Sequence, residues 1–199
     1  MKRSRMPNLI KFDEGLAIKR LYPNKDSKLF NEFVDVYNNN YEHLRYWHRY
    51  ISSLSFKNYN DYIFYLKASG LMCYTIILSG KIIGCIEVGY IEKDFANLKF
   101  RTLSYWIDKN QTRKGYMSKV LKSLENYFDI LNLDYILADI CNKNEPSKLL
   151  LDKFNYKKMY YYGPFFSHEE CGYIRYRKNL SNKCYKENFT VYLNELIAA

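Results

Sequence analysis

Metal and disulfide chemistry have little to work with in this chain. Its five cysteines, Cys73, Cys85, Cys141, Cys171 and Cys184, are odd in number and scattered, and none forms a C-x-x-C pair. That spacing suggests neither a zinc site nor a disulfide framework, so no metal is expected and a reducing compartment fits. Glycine and proline are few, at eight and four copies, and no low-complexity tract, internal repeat or convincing linker interrupts the chain. No apolar run approaches the roughly 20 residues that span a bilayer. The basic start MKRSRMPNLIKFDEG lacks the apolar core of a signal peptide. These absences point to a soluble, cytoplasmic protein with no membrane partner. Acidic residues are also short, 21 against 31 Lys and Arg, giving a net charge of +10 and a preference for anionic partners: a phosphorylated cofactor, an acidic protein or nucleic acid.

What is present suits an ordinary globular core. Hydrophobic residues make up 48% of the 199 residues, enough for one sizeable domain. The expectation is one mixed α/β domain over residues 1–178, with an extension, 179–199, whose amphipathic end (Phe189, Val191, Leu193, Leu196, Ile197) has no assigned role.

Leu16 to Leu21 reads as a first strand. Leu29, Phe30, Phe33, Val34 and Tyr37 form a helical stripe that Asn38, Asn39 and Asn40 break. A second helical pattern carries Leu44, Trp47 and Ile51. Ser52 to Asn60 reads as a loop, and Tyr62, Ile63, Tyr65 and Leu66 suggest a third helix ended by Gly70. Met72 to Leu78 and Ile82 to Tyr90, joined at Ser79-Gly80, read as a β-hairpin. Strands follow at Phe100–Ile107, Tyr135–Ile140, Lys157–Tyr162 and Gly172–Arg177, and a helix at Asn144–Phe154 with Pro146 in its first turn.

The chain is organised around LSYWIDKNQTRKGYMSKVLKSLENYFDIL, from Leu103 to Leu131. A short aromatic and β-branched strand enters a polar loop, Asp108 to Tyr116. From Ser118 on, Val120, Leu121, Leu124, Tyr127, Phe128 and Leu131 recur at helical spacing. A loop opening a helix leaves main-chain N–H groups without intrahelical partners, at the positive end of the helix dipole. Lys109, Arg113, Lys114, Lys119 and Lys122 add charge, with no acid between Asp108 and Glu125. Two readings follow: a seat for phosphates, or a solvated basic helix face.

The stretch NEPSKLLLDKFNY, Asn144 to Tyr156, resembles the closing helix of the GNAT acetyltransferases. There an N-x-x-[SA] start leads to an [E/D]-K-x-G-[F/Y] end, at Asn144, Ser147, Asp152, Lys153, Asn155 and Tyr156 here. Asn155 fills the glycine slot, and asparagine tolerates a left-handed backbone better than other non-glycine residues. Within the family's acetyl-CoA loop Q/R-x-x-G-x-G/A, only Gly115 fits; Thr112 and Met117 occupy the outer slots. Lys114-Gly115-Tyr116-Met117-Ser118 is similar to the G-K-G-[YI]-[MA]-[ST] of the ribosomal-protein alanine/serine N-acetyltransferase group, with Arg113 for its first glycine. Tyr105-Trp106-Ile107-Asp108 resembles that group's preceding strand, His43-Leu44-Arg45-Tyr46-Trp47 its H-L-x-x-W segment, and Gly80 to Gly84 its G-x-x-I-G hairpin turn. The matches fall in order from Leu16 to Tyr176.

The resemblance implies a mostly antiparallel, twisted central sheet of six or seven strands, splayed at its two central strands and flanked by helices. It implies acetyl transfer from acetyl-CoA to a primary amine by direct attack, with a protein N-terminal amine as the first acceptor to consider. Loop amides from Arg113 to Ser118 would cradle the pyrophosphate, main-chain groups of Tyr105, Trp106 and Ile107 would meet the pantetheine, and one strand N–H would hold the oxyanion. Asn144 would be a further pantetheine contact. Many members place a tyrosine where Leu151 stands; the ribosomal-protein group is thought to use the serine, so Ser147 is the candidate partner of the leaving sulfur, its plain alternative being a helix cap. Glu87, mid-strand between apolar residues, is the first candidate base, with outward solvation as its alternative; His168, Glu169 and Glu170 are others. His43 and Trp47 are expected to shape the acceptor pocket, or else to pack the core. Direct transfer needs no thiol nucleophile, so Cys171 is set aside.

Other functions stay open on these residues. A small amine such as an antibiotic or polyamine is a second acceptor class. Basic charge and 22 tyrosines permit a nucleic-acid-binding module, disfavoured because no aromatic RNA-binding strand or helix-turn-helix pattern is evident. A CoA-binding regulatory protein is the last, and monomer and homodimer are both compatible.

Overall fold

A computed structural model describes residues 7–12, 15–22, 27–47, 61, 64–65, 70–163 and 172–180. Nine strands lie in these residues: β1 Leu9–Lys11, β2 Leu16–Arg20, β3 Leu71–Leu78, β4 Lys81–Gly89, β5 Glu92–Lys93, β6 Lys99–Ile107, β7 Tyr135–Cys141, β8 Lys157–Tyr162 and β9 Tyr173–Asn179. They form a mixed sheet of order β1-β2-β3-β4-β6-β7-β9-β8, with β5 pairing on β6. Every pairing is antiparallel except β6 with β7. That pair is parallel because a helix, α2 (Tyr116–Ile130), carries the chain back between them. Two further helices, α1 (Ser27–Leu44) and α3 (Glu145–Lys153), complete the regular elements. The mixed α/β class and the mostly antiparallel, splayed sheet are as expected; the strands exceed the six or seven anticipated because β1 and β5 are too short to carry a pattern.

The sheet buries both faces. Leu16, Ile18, Tyr74, Ile76, Ile86, Val88 and Leu103 pack under Val120, Leu121, Leu124 and Phe128 of α2 and Leu151 of α3. On the other face Cys73, Ile82, Cys85 and Trp106 meet Phe30, Phe33, Tyr37 and Leu44 of α1. Each such large apolar side chain contributes about 1.5–3 kcal/mol by leaving water.

The asparagine break expected at Asn38–Asn40 does not occur: α1 runs unbroken through it. Asn40 falls on the same three-four spacing as Phe33, Tyr37 and Leu44, is 1% exposed, and satisfies its amide by donating to the Val36 carbonyl at 2.8 Å. A polar residue that bonds back one turn does not stop a helix whose apolar face continues. The second helical pattern is therefore the end of α1; Trp47 lies in the turn beyond it. Of the third predicted helix, Asp61, Phe64 and Tyr65 are helical; the rest, with Ile51, the Ser52–Asn60 loop and residues 181–199, lies outside the described residues. Helix α2 starts two residues before the expected Ser118, and β9 runs two beyond Arg177. Cys141 is held in a disulfide, which the scattered cysteines did not predict.

Candidate active site

The two central strands part company early. β6 pairs with β7 only at Phe100–Tyr135, Arg101–Ile136 and Thr102–Leu137. Beyond Thr102, β6 stays paired with β4 out to Ile107 but has left β7. The main-chain edges of Leu103–Ile107 and Ala138–Cys141 thus face a wedge that widens toward the loop after β6.

That loop is shaped to present N–H groups. A 3-10 turn, Lys109–Gln111, is capped by the Asp108 carboxylate, which accepts from Asn110 N at 2.7 Å. The Asp108 N–H is fixed on the Ile83 carbonyl at 2.8 Å, and the Lys109 N–H on Asn40 Oδ1 at 2.9 Å, so strand β4 and helix α1 both anchor its start. Arg113 and Gly115 then take left-handed conformations, φ 60° and 81°. Such an alternation of handedness is the backbone pattern of a nest, in which successive N–H groups turn toward one concavity. Among the described residues no acceptor meets the main-chain N–H groups of Arg113 to Ser118, and the space a Cβ at Gly115 would enter is open. Lys109, Arg113, Lys114, Lys119 and Lys122 are all exposed around it. Met117 is the exception in the set: its side chain is core, 8% exposed, so only its main chain faces the nest. Trp106 is core too, against the rings of Phe33 and Tyr37 at 6.0 and 6.1 Å.

The wedge separates two candidate catalytic groups by face. On the α2–α3 side, Asn144 caps α3, its side chain accepting from Ser147 N at 3.2 Å. The helix is thus capped by Asn144, and the Ser147 hydroxyl is left for another partner. It neighbours the Tyr105 hydroxyl. Burial pushes the Tyr105 phenol above its ordinary range and the serine contact opposes that rise. Asn155, at φ 61°, occupies the left-handed position at the end of this helix.

On the α1 side lies Glu87, 6% exposed, its carboxylate accepting from the Tyr65 hydroxyl at 3.2 Å. It pairs with Ser104 of β6 beside the wedge, so it points inward under the helices and not to solvent. Tyr37 is close enough for the Glu87 charge to add to burial in raising its phenol. His43 and Trp47 also lie on this side, rings edge-on at 6.5 Å. Trp47 leans on Cys141, Tyr162 and Tyr173 at the far ends of β7, β8 and β9. His43 is near Asp108 and Lys109, and burial, with Lys109, lowers its basicity. The pair therefore spans the mouth of the wedge between its two strands. His168, Glu169, Glu170 and Cys171 lie outside the described residues.

Three contributors escaped the sequence reading: Tyr65, Tyr105 as a side chain, and Asn40. Only Asn40 left a signal, a polar residue on an apolar helical stripe. Among the described residues no group of three or more His, Cys, Asp or Glu is placed to hold a metal ion, and no helix is long and apolar enough to cross a membrane.

Residues 21–157 match the acetyltransferase (GNAT) domain family. No curated protein sequence matches the chain. Among solved structures, the acetyltransferase from Salmonella typhimurium that modifies the N-terminal serine of ribosomal protein L7/L12 superimposes with a TM-score of 0.65 at 12% identity, over 87% of this chain and 99% of that one. The ribosomal-protein-S5-alanine acetyltransferase from Vibrio fischeri gives 0.65 at 17% identity, over 87% and 97%. The microcin C7 self-immunity acetyltransferase MccE, in complex with acetyl-CoA and AMP, gives 0.69 at 16% identity, over 88% and 98%.

Proposed function

Because the chain belongs to the GNAT acetyltransferase family, and so transfers acetyl from acetyl-CoA to an amine, we propose that its acceptor is a protein N-terminal amine and that Ser147 and Glu87 serve the two ends of the transfer. The observation that carries this reading is the wedge between β6 and β7, with the nest at Gly115 at its mouth and the two polar side chains on opposite faces.

In this reading the nest N–H groups and the exposed Lys and Arg around them hold the CoA pyrophosphate. The pantetheine lies in the wedge against the free edge of Leu103–Ile107, which serves it as a sheet edge serves an added strand. A strand N–H there takes the negative charge that builds on the thioester oxygen. The amine enters from the α1 side, between His43 and Trp47, and passes its proton to Glu87 directly or through water. The C–S bond breaks on the other side, where the Ser147 hydroxyl donates to the departing thiolate and Tyr105 steadies that hydroxyl. Glu87 returns the amine's proton to solvent and Ser147 recovers its own from solvent, so forming the N–C bond and breaking the C–S bond leaves an amide and CoA thiol with both residues restored.

A second acceptor class has its own support. The superposition on the self-immunity acetyltransferase MccE reaches 0.69, which supports a small amine such as an antibiotic or polyamine as the competing acceptor. The experiment offers the enzyme acetyl-CoA with short peptides bearing free N-terminal Ser or Ala, and separately with small amines, and follows thiol release. Mass increase on the peptide α-amine supports the proposal. Turnover with small amines alone would replace it.

A further inference from the structure

The turn from β7 into α3 holds a buried oxygen with nothing to bond. β7 ends at Cys141 and α3 begins at Glu145, and Asn142 is the first residue between them. Its main chain is held from two sides. The Asn142 N–H donates to the Gly172 carbonyl at 2.9 Å, and the Asn142 carbonyl accepts from Lys148 Nζ of α3, also at 2.9 Å. Its side chain is not held in this way. Among the described residues no donor reaches Asn142 Oδ1, although that atom is buried.

The backbone fixes the side of the sheet on which this oxygen lies. The register of β7 and β9 sets Cys141 against Tyr173, and the bond from Asn142 to Gly172 carries the ladder one residue further. Side chains alternate across a sheet. Ala138 and Ile140 belong to the core with α2 and α3, whereas Cys141 lies on the other face against Trp47. Asn142 therefore falls on the α3 side. Ser147 stands in the first turn of that helix, and the Asn144 cap lies between the two in the chain. The unsatisfied oxygen and the Ser147 hydroxyl thus share one side of the wedge at its wide end, across the sheet from Glu87.

A buried acceptor without a donor costs stability, and native structures keep few of them. What is missing is an N–H or O–H. The acceptor amine enters from the α1 side, so it is not the donor. The arm of CoA carries amide N–H groups, one of them next to its thiol, and a thiol at Ser147 brings that amide past Asn142. Given the reading that lays this arm in the wedge, we propose that Asn142 Oδ1 accepts the amide N–H nearest the thiol and so sets the sulfur against Ser147. The apo protein carries an unpaired oxygen that the cofactor satisfies.

The test is calorimetric titration of the full chain, unaltered and as N142L, with CoA and with adenosine bisphosphate, the nucleotide half of CoA without the arm. Leucine fills a similar space with no polar atom. N142L is expected to bind CoA about fivefold more weakly, the loss of one hydrogen bond, and to bind adenosine bisphosphate unchanged, since that half sits on the nest. In the free chain N142L is expected to raise Tm by about 2–4 °C, because the orphaned oxygen is gone; removing a side chain that served only the fold would lower it. N142A, with the same expected loss toward CoA, serves if N142L does not fold. CoA affinity equal in the unaltered chain and the variants, or a loss of adenosine bisphosphate binding alongside that of CoA, overturns the proposal. CoA held by the unaltered chain no more tightly than adenosine bisphosphate would instead overturn the placement of the arm in the wedge, and the proposal with it.

Discussion

The Tyr65 hydroxyl donates to the Glu87 carboxylate across 3.2 Å, in a place where Glu87 is 6% exposed. An acid buried that deeply between Cys85 and Val88, both 0% exposed, invites the question of what it does. Glu87→Gln retains the acceptor for Tyr65 and removes only the ability to take a proton. Its expected effect is a fall in kcat of about 10²- to 10⁴-fold, the usual worth of a general base, with KM for acetyl-CoA unchanged. An unaltered kcat takes Glu87 out of the reaction and leaves it a structural partner of Tyr65.

Ser147 and Asn144 share a hydrogen bond but separate by phenotype. Asn144→Ala removes the side-chain cap of α3 and is expected to cost about 1 kcal/mol of stability. Ser147→Ala keeps that cap, because only the Ser147 N–H takes part in it. Its expected signature is the reverse: a melting temperature close to that of the unaltered protein and a kcat reduced at least tenfold at saturating acetyl-CoA. The same kcat with and without the hydroxyl, measured by thiol release, rules out a role for Ser147 at sulfur.

Two glycines that the hairpin and loop motifs single out differ in what they tolerate. A Cβ at Gly84 would lie 2.3 Å from the Trp106 carbonyl oxygen and 2.9 Å from Ile107 Cα, so Gly84→Ala forces β4 and β6 apart and is expected to destabilise by about 1–3 kcal/mol or more. Gly115→Ala meets no atom within 4 Å and carries only the left-handed strain of φ 81°, about 1 kcal/mol. Its effect is expected in a raised KM for acetyl-CoA, since the strain is relieved by opening the nest. Urea unfolding separates the first case, and initial-rate kinetics the second.

The sheet and its flanking helices were legible because their patterns are long. The hairpin of β3 and β4, the Tyr116–Ile130 helix and the strands on either side of it show apolar periodicity over seven or more residues. α1 was misread at Asn38–Asn40 because composition was allowed to outweigh spacing; the 33, 37, 40, 44 repeat was there to be counted. The loop at Gly115 was legible from charge and from one glycine, but the left-handed Arg113 was not, since nothing in arginine favours that conformation. The site roles of the Tyr65 and Tyr105 side chains were invisible for a different reason. Tyr65 is 22 positions from Glu87 and Tyr105 is 42 from Ser147, and pairings between elements follow from topology, which local sequence does not encode. With 22 tyrosines in the chain, no single one stands out.

Asn155 ends α3 at φ 61°, in the position that glycine fills in the motif this helix resembles. Glycine reaches that conformation without the steric cost of a Cβ, so Asn155→Gly is expected to be neutral or to stabilise by up to about 1 kcal/mol, offset in part by the greater freedom of the unfolded chain. For a chain of this length that is a rise of about 2–4 °C in Tm. Asn155→Val, β-branched, is expected to lower Tm instead. A Tm lowered by Asn155→Gly would mean that the asparagine side chain itself holds the turn.

His43 gives the fold a pH dependence whose sign follows from its surroundings. Burial, aided by the Lys109 charge and opposed by Asp108, lowers its pKa below the ordinary value of 6.5. In the unfolded chain the same group titrates near that ordinary value. Between the two pKa values the unfolded chain therefore binds more protons than the folded one, and stability falls as pH falls. The contribution is fully present above about pH 6.5 and is lost progressively as the pH drops through the folded pKa. His43→Gln removes this titration while keeping a polar side chain beside Trp47. Urea midpoints of the two proteins, measured from pH 8 to pH 5, are expected to differ by a constant amount down to about pH 7, below which the unaltered protein loses stability relative to the variant. Because every other ionisable group is common to both, their difference isolates His43. Midpoints that stay parallel down to pH 5 would show that His43 takes up its proton as readily when folded as when unfolded, and would move it out of the enclosed mouth of the wedge.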